Sequence, residues 1–176
     1  MKTLILGAVR SGKSRYAGEL AREQSGEVTL IATGNALDEE MAARIAAHRR
    51  DRPAHWTVVE EPIHLAATLR SAAAPSRSLI VDCLTLWVTN LLCSEDRQAL
   101  ERETAALLET LPLLPGSCML VTNEVGLGVM PINALARRFA DEAGSLHQQL
   151  ATLCDRVVFM VAGIPLVVKG GGAGAA

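Results

Sequence analysis

The sequence predicts an α/β fold, a mostly parallel β-sheet with helices on both faces. Three observations carry that expectation. Short apolar runs alternate with segments of helical periodicity along the chain, the pattern of repeated βαβ units. The first run, Thr3–Leu6, leads into Gly7-Ala8-Val9-Arg10-Ser11-Gly12-Lys13-Ser14, and a helical segment follows. That strand–loop–helix context is the one a G-x-x-x-x-G-K-S phosphate loop requires, so the fold is expected to be P-loop NTPase-like. A later run, Leu79-Ile80-Val81, ends on Asp82, the carboxylate position of a Walker B strand.

Strand one is Thr3–Leu6, and the helix Arg15–Gln24 places Tyr16, Ala17 and Leu20 inward, with Gly26 as its stop. Val28–Ala32 is strand two and runs out at Thr33-Gly34. Asp38 caps a helix that reaches His48, with Glu39 and Glu40 in its acidic first turn and Met41 and Ile45 on one face. Arg49-Arg50-Asp51-Arg52-Pro53 is its charged exit. Trp56–Glu60 is strand three, and a helix opens at Pro62 and runs to Ala72 with Leu65 and Leu69 inward. Leu79–Asp82 is strand four, Thr85–Leu92 an apolar helix, and Arg97–Leu111 an amphipathic one. Cys118–Thr122 is strand five and Asn123–Pro131 a glycine-rich loop. A long helix follows, lined by Leu135, Phe139, Leu146, Leu150 and Leu153. Val157–Val161 is strand six and Leu166–Val168 a short last strand. Residues 1–169 are expected to form a single domain, and Gly170–Ala176 to be a disordered tail with nothing to pack.

Sites in open parallel sheets lie beyond the carboxyl ends of the strands. Gly7–Ser14, Thr33-Gly34, Glu60-Glu61, Asp82 and Asn123-Glu124 are therefore expected around one crevice. Composition narrows the partners. About half of the residues are apolar, enough for a packed core, and the net charge of −2 argues against a general nucleic-acid or anionic-membrane surface. Cys83, Cys93, Cys118 and Cys154 form no C-x-x-C, so buried thiols in a reducing cytoplasm are expected. Arg10 and Lys13 interrupt the first apolar run too early for a signal peptide. The run Val157–Val168, broken by Gly163 and Pro165, is too short for a membrane span.

The phosphate loop brings its own chemistry. Its glycines let backbone N–H groups converge on an anion, and the helix behind adds its positive end. Lys13 is placed to bridge the β- and γ-phosphates and the Ser14 hydroxyl to ligate Mg²⁺. Asp82 either holds the same Mg²⁺ or caps the following helix. A second feature is the cluster Arg44, His48, Arg49 and Arg52. Neighbouring positive charge keeps an imidazole neutral and nucleophilic, and arginines clamp phosphate oxygens. The same cluster also reads as a solvated basic helix end that complements the dipole. His55 and His64 are less specific, His147 reads as structural, and Trp56 and Trp87 as core. Glu60-Glu61 could meet a ribose, a metal or only solvent.

Several stretches together resemble the bifunctional adenosylcobinamide kinase / adenosylcobinamide-phosphate guanylyltransferase family of cobalamin biosynthesis. They are Arg10-Ser11-Gly12-Lys13-Ser14-Arg15, Ile31-Ala32-Thr33, the segment Asp38–Ile45, His48-Arg49, Arg52-Pro53-Ala54-His55-Trp56, Val88-Thr89-Asn90-Leu91-Leu92, Val121-Thr122-Asn123-Glu124-Val125-Gly126 and Leu135-Ala136-Arg137. The resemblance implies a kinase that uses ATP or GTP on adenosylcobinamide. It further implies a guanylyltransferase that converts the resulting phosphate, with GTP, to adenosyl-GDP-cobinamide and pyrophosphate. The family's covalent GMP–histidine falls on His48. Its nucleotide contacts fall on Gly7–Ser14, Ala32, Thr33, Gly34, Arg49, Arg50, Asp51, Arg52, Glu60 and Asp82. Homo-oligomers are also implied. The family loop usually reads G-G-A-R-S-G-K-S, so Ala8 stands here for a glycine, which requires a negative φ at that position. Two other readings compete: a small-molecule kinase, which leaves the His48 cluster idle, and a GTP-binding regulatory protein. The second would need an N-K-x-D motif, which Asn123-Glu124-Val125-Gly126 does not supply.

Overall fold

The computed structural model describes residues 1–24, 26–35 and 53–171. The helix expected over Asp38–His48, its charged exit through Arg52, and tail residues 172–176 lie outside the described residues. The described elements are β1 (Lys2–Gly7), α1 (Lys13–Glu23), β2 (Glu27–Ala32), β3 (Thr57–Glu60), α2 (Leu65–Ala72), β4 (Arg77–Asp82), α3 (Leu84–Leu92), α4 (Ala99–Thr110), a 3-10 turn (Leu111–Leu113), β5 (Ser117–Val121), α5 (Ala134–Leu153), β6 (Arg156–Val161) and β7 (Ile164–Lys169).

The strands form a seven-stranded sheet in the order β3-β2-β4-β5-β1-β6-β7. Every pairing is parallel except the last, where β7 runs antiparallel to β6. The central strands read as near-continuous apolar runs because both faces are covered. Alternate residues go to opposite sides, as the pleat demands. Leu4, Leu79, Val81, Cys118 and Leu120 join one core cluster, with Leu65, Leu69, Trp87, Leu107, Leu146 and Leu150 from the helices. Ile5, Ile80, Met119 and Val121 join the other, packed against Ala17, Leu20 and Ala21 of α1. Trp87 is wholly buried and its indole N–H donates to Ile63 O at 2.7 Å. Trp56 is only half-buried and lies under the Arg22 guanidinium, 5.5 Å from the ring centroid.

Four expectations are corrected. The helix expected from Pro62 starts at Leu65, because Glu61 Oε1 accepts the N–H groups of Ile63 and His64 at 2.9 and 2.7 Å and holds a turn there. The stripe on α5 is shorter than predicted: Leu146 and Leu150 are buried, but Leu135 is 52% and Leu153 36% exposed. A 20-residue helix is about 30 Å long and overhangs six-residue strands of about 20 Å at both ends. The last strand is longer than expected and reverses direction through Ala162 and Gly163, both at positive φ (51° and 85°), the geometry of a two-residue hairpin. The four cysteines are free, but Cys93 is exposed, since it caps α3 at the surface.

Candidate active site

Parallel register brings the strand ends level. Ile5 pairs with Val121, Val121 with Asp82, Asp82 with Ala32, and Ala32 with Glu60. Whatever follows these residues emerges at the same edge of the sheet. Backbone bonds continue the alignment past the strands: Thr122 N–H donates to Ile5 O at 3.0 Å, Glu124 N–H to Gly7 O at 3.1 Å, Thr33 N–H to Asp82 O at 3.2 Å, and Glu61 N–H to Ala32 O at 3.0 Å. The crevice expected from sequence thus has its described segments side by side.

The phosphate loop spans the turn from β1 to α1. Gly7 has φ 155°, and a Cβ there would stand 2.7 Å from Ser11 Oγ and 2.8 Å from Met160 O. Gly12 caps α1 at φ 93°. Ala8 is absent from the positive-φ residues, so it meets the condition that the alanine imposes, whereas Arg10 takes the left-handed conformation at φ 57°. The loop closes on itself through Ser11 N–H to Ala8 O at 3.2 Å. It is also held from outside: Gly163 N–H, in the hairpin turn, donates to Ser11 O at 3.1 Å.

Lys13 is buried, and its ammonium folds back onto the loop, donating to Gly7 O at 3.0 Å, Ala8 O at 2.6 Å and Ser11 Oγ at 3.4 Å. Burial pushes its pKa below the ordinary lysine value, and the nearby acidic groups of Cys83 and Asp82 partly oppose the shift. Asp82 is half-buried at the end of β4, and the Asp82–Cys83 peptide bond is cis. Ser14, in the first turn of α1, is partly exposed. Val9 and Arg10 lie on the surface of the loop.

Thr33 is wholly buried, and its hydroxyl bridges β2 to β4, donating to Cys83 O at 2.7 Å and accepting from Cys83 N–H at 3.0 Å. Gly34 beside it stays partly open, and Glu60 is exposed at the tip of β3. His48, Arg49, Arg50, Asp51 and Arg52 lie outside the described residues. His55 and His64 are exposed, and His64 pairs with Glu103 at 3.1 Å.

The structure adds residues to which sequence reading gave no role. Asn90 Nδ2 donates to Thr33 O at 2.7 Å and to Pro62 O at 3.1 Å, tying the exits of β2 and β3 together. Thr85 Oγ1 accepts Asn123 N–H at 2.8 Å and lies 3.4 Å from Thr122 Oγ1. Thr122 Oγ1 is in turn hydrogen-bonded to His147 Nε2 at 2.9 Å. Asn90 stands in the run V-T-N-L-L and Thr122 and Asn123 in T-N-E-V-G, but Thr85 and His147 stand in neither, and neither run says which hydroxyl meets which partner.

His147 has a pH signature. Burial lowers its pKa from the ordinary histidine value, with Glu124 partly opposing. The folded protein therefore resists a proton that the unfolded chain accepts once pH falls through about 6.5. Stability contributed by neutral His147 is complete above that pH and is lost on acidification toward the lowered folded value. His147→Gln should show a smaller drop in urea midpoint between neutral and mildly acid buffer than wild type. An equal drop in the two proteins would assign the acid sensitivity to other groups.

A glycine-bounded loop with an inward lysine, seated at the carboxyl edge of a mostly parallel sheet, defines a P-loop nucleotide-binding enzyme. Two solved structures share the fold at low sequence identity. A RadB recombinase superposes with a TM-score of 0.51 at 14% identity, covering 90% of this chain and 73% of that one. A protein from Pyrococcus horikoshii OT3 gives 0.53 at 7% identity, covering 98% and 87%. The chain belongs to the cobinamide kinase / cobinamide phosphate guanyltransferase family, whose sequence model matches residues 3–168. It is 58% identical over 170 residues to the bifunctional adenosylcobalamin biosynthesis protein CobP of Pseudomonas aeruginosa, covering 97% of this chain and 98% of that protein. The CobU protein of Escherichia coli, of the same description, is 41% identical over 182 residues, covering 96% and 100%.

Proposed function

We propose that this chain carries out both transfers of its family at the carboxyl edge of the sheet. It phosphorylates adenosylcobinamide with ATP or GTP, and it then moves GMP from GTP onto that phosphate through a GMP–His48 intermediate, giving adenosyl-GDP-cobinamide and pyrophosphate. The observation that carries the kinase half is the loop Gly7–Ser14 with the Lys13 ammonium seated in it. On nucleotide binding the ammonium exchanges the Gly7 and Ala8 carbonyls for β- and γ-phosphate oxygens, and the loop N–H groups take the remainder. Guanylyl transfer rests on the sequence: His48 stands among Arg44, Arg49, Arg50 and Arg52. A neutral imidazole there attacks the α-phosphorus, and the arginines stabilise the departing pyrophosphate. Ala32, Thr33, Gly34, Asp51, Glu60 and Asp82 complete the nucleotide surround in this reading.

The donor set suits Mg²⁺. The Ser14 hydroxyl and the Asp82 carboxylate are hard oxygen ligands, and this ion commonly takes one or two protein ligands alongside phosphate oxygens and water. Bound there it would neutralise charge on the transferred phosphoryl group. Two further readings accompany the function. Free thiols fit a reducing cytoplasm. The exposed Leu127, Val129, Met130 and Ile132 support a homo-oligomer, since exposed apolar side chains gathered in one segment mark contact surfaces.

Purified protein given adenosylcobinamide and ATP should form the phosphate, and GTP added afterwards should consume it with release of pyrophosphate. Asp82→Asn should slow both steps and recover part of the rate as Mg²⁺ is raised. An unchanged Mg²⁺ dependence in that variant would remove Asp82 from the metal site; it does not cap α3, whose N-cap is Cys83 with no side-chain cap bond.

A further inference from the structure

In the sheet β5 lies between β4 and β1, so the chain leaving β5 emerges between Asp82 and the phosphate loop. Glu124 stands at that exit. Its N–H donates to Gly7 O at 3.1 Å, which fixes its backbone beside the first residue of the loop. Its Oε1 accepts the Gly126 N–H at 2.5 Å. Its Oε2 makes no hydrogen bond among the described residues and lies 3.9 Å from His147 Nδ1. The His147 ring is itself immobilised by burial and by its bond to Thr122. The Glu124 side chain retains 21% exposure, so the carboxylate is braced yet still open to solvent, on a backbone anchored beside the loop.

A turn that closes on Gly126 uses only Oε1 and leaves Oε2 without a hydrogen bond among the described residues, facing His147 Nδ1 at 3.9 Å. A fixed carboxylate near a polyphosphate also repels it. Both points are resolved if the carboxylate receives a proton during the reaction, as the catalytic aspartate of a protein kinase does. Resting on the reading of this chain as a cobinamide kinase, we infer that Glu124 orients the acceptor hydroxyl and takes its proton in the kinase step, with His147 as its positioning residue. The acceptor O–H bond breaks and the proton passes to Oε2. The electron pair left on the acceptor oxygen forms the new bond to the γ-phosphorus. The bond from that phosphorus to the β-phosphate oxygen breaks, and the nucleoside diphosphate leaves. The proton then returns to water. The second transfer has an anionic phosphate as acceptor and requires no such base.

The test compares wild type, Glu124→Gln and Glu124→Asp in two assays: phosphorylation of adenosylcobinamide by ATP, and guanylylation of supplied adenosylcobinamide phosphate. Glu124→Gln should lower kcat for phosphorylation roughly a hundredfold with KM for ATP little changed. Guanylylation should fall far less, and Glu124→Asp should regain part of the phosphorylation. A wild type active in phosphorylation whose Glu124→Gln variant keeps its kcat overturns the inference alone. Equal loss of both transfers also overturns it, since Glu124 would then only anchor the loop. A wild type that phosphorylates nothing sinks the kinase reading and this inference with it. Should Glu124→Gln fail to fold, Glu124→Asp decides: selective loss of phosphorylation supports the role, and parallel loss removes it.

Discussion

Lys13→Ala is expected to slow phosphorylation of adenosylcobinamide by roughly two to three orders of magnitude. The side chain is buried and held by Gly7 O, Ala8 O and Ser11 Oγ, so its charge is positioned before any nucleotide arrives. A partly desolvated ammonium interacts more strongly with phosphate than one in water, because less dielectric lies between them. Truncation also strips two loop carbonyls of their donor, so loss of shape has to be separated from loss of charge. Lys13→Gln keeps a donor without the charge. It should remain nearly as slow as alanine in single-turnover phosphorylation, while its melting temperature stays closer to wild type. Near wild-type phosphorylation by Lys13→Ala would leave the phosphate loop without a function.

His48→Ala is expected to abolish covalent labelling by GTP carrying a labelled α-phosphate, while phosphorylation of adenosylcobinamide continues. The expectation follows from the arginine-rich setting of His48, which favours a neutral, nucleophilic imidazole and supplies cations for the leaving pyrophosphate. The adduct of wild type should be a phosphoramidate, stable in alkali and lost in acid. Attack on that adduct by the cobinamide phosphate makes a second displacement at the same phosphorus, so its configuration should be retained overall. Label persisting on His48→Ala would move the nucleophile elsewhere, with His55 the next residue to replace. Loss of both activities in a folded variant would place His48 in a binding surface common to the two reactions.

The sheet was legible because its central strands are buried on both faces and therefore appear as uninterrupted apolar runs. Cys118-Met119-Leu120-Val121 is fully buried and was bounded to within a residue. Helix limits set by a side chain were less legible. Nothing in Pro62-Ile63-His64 announces that Glu61 will capture two N–H groups and delay α2 by a turn. Periodicity alone extended the apolar stripe to Leu135 and Leu153, because it reports which side of α5 a residue occupies and not whether the sheet still lies beneath it. At the crevice the loop and Asp82 were readable from spacing. The roles of Thr85, Thr122 and Asn90 were not, since each depends on a partner more than twenty residues away in the chain. Thr33 carries a nucleotide expectation from resemblance, and the bonds of its hydroxyl to the Cys83 backbone, which join two strand ends, were not legible in the sequence.

The hairpin between β6 and β7 lies more than a hundred residues beyond the phosphate loop in the chain, yet its Gly163 N–H holds Ser11 O. That bond joins the loop's curvature to the packing of two strands. The conformational freedom of the loop is consequently lost when the chain folds, and little remains to be lost when nucleotide enters. The cradle's backbone behaves as a mould cast in advance, and what is left to change on binding is the Lys13 ammonium, which trades Gly7 O and Ala8 O for phosphate oxygens.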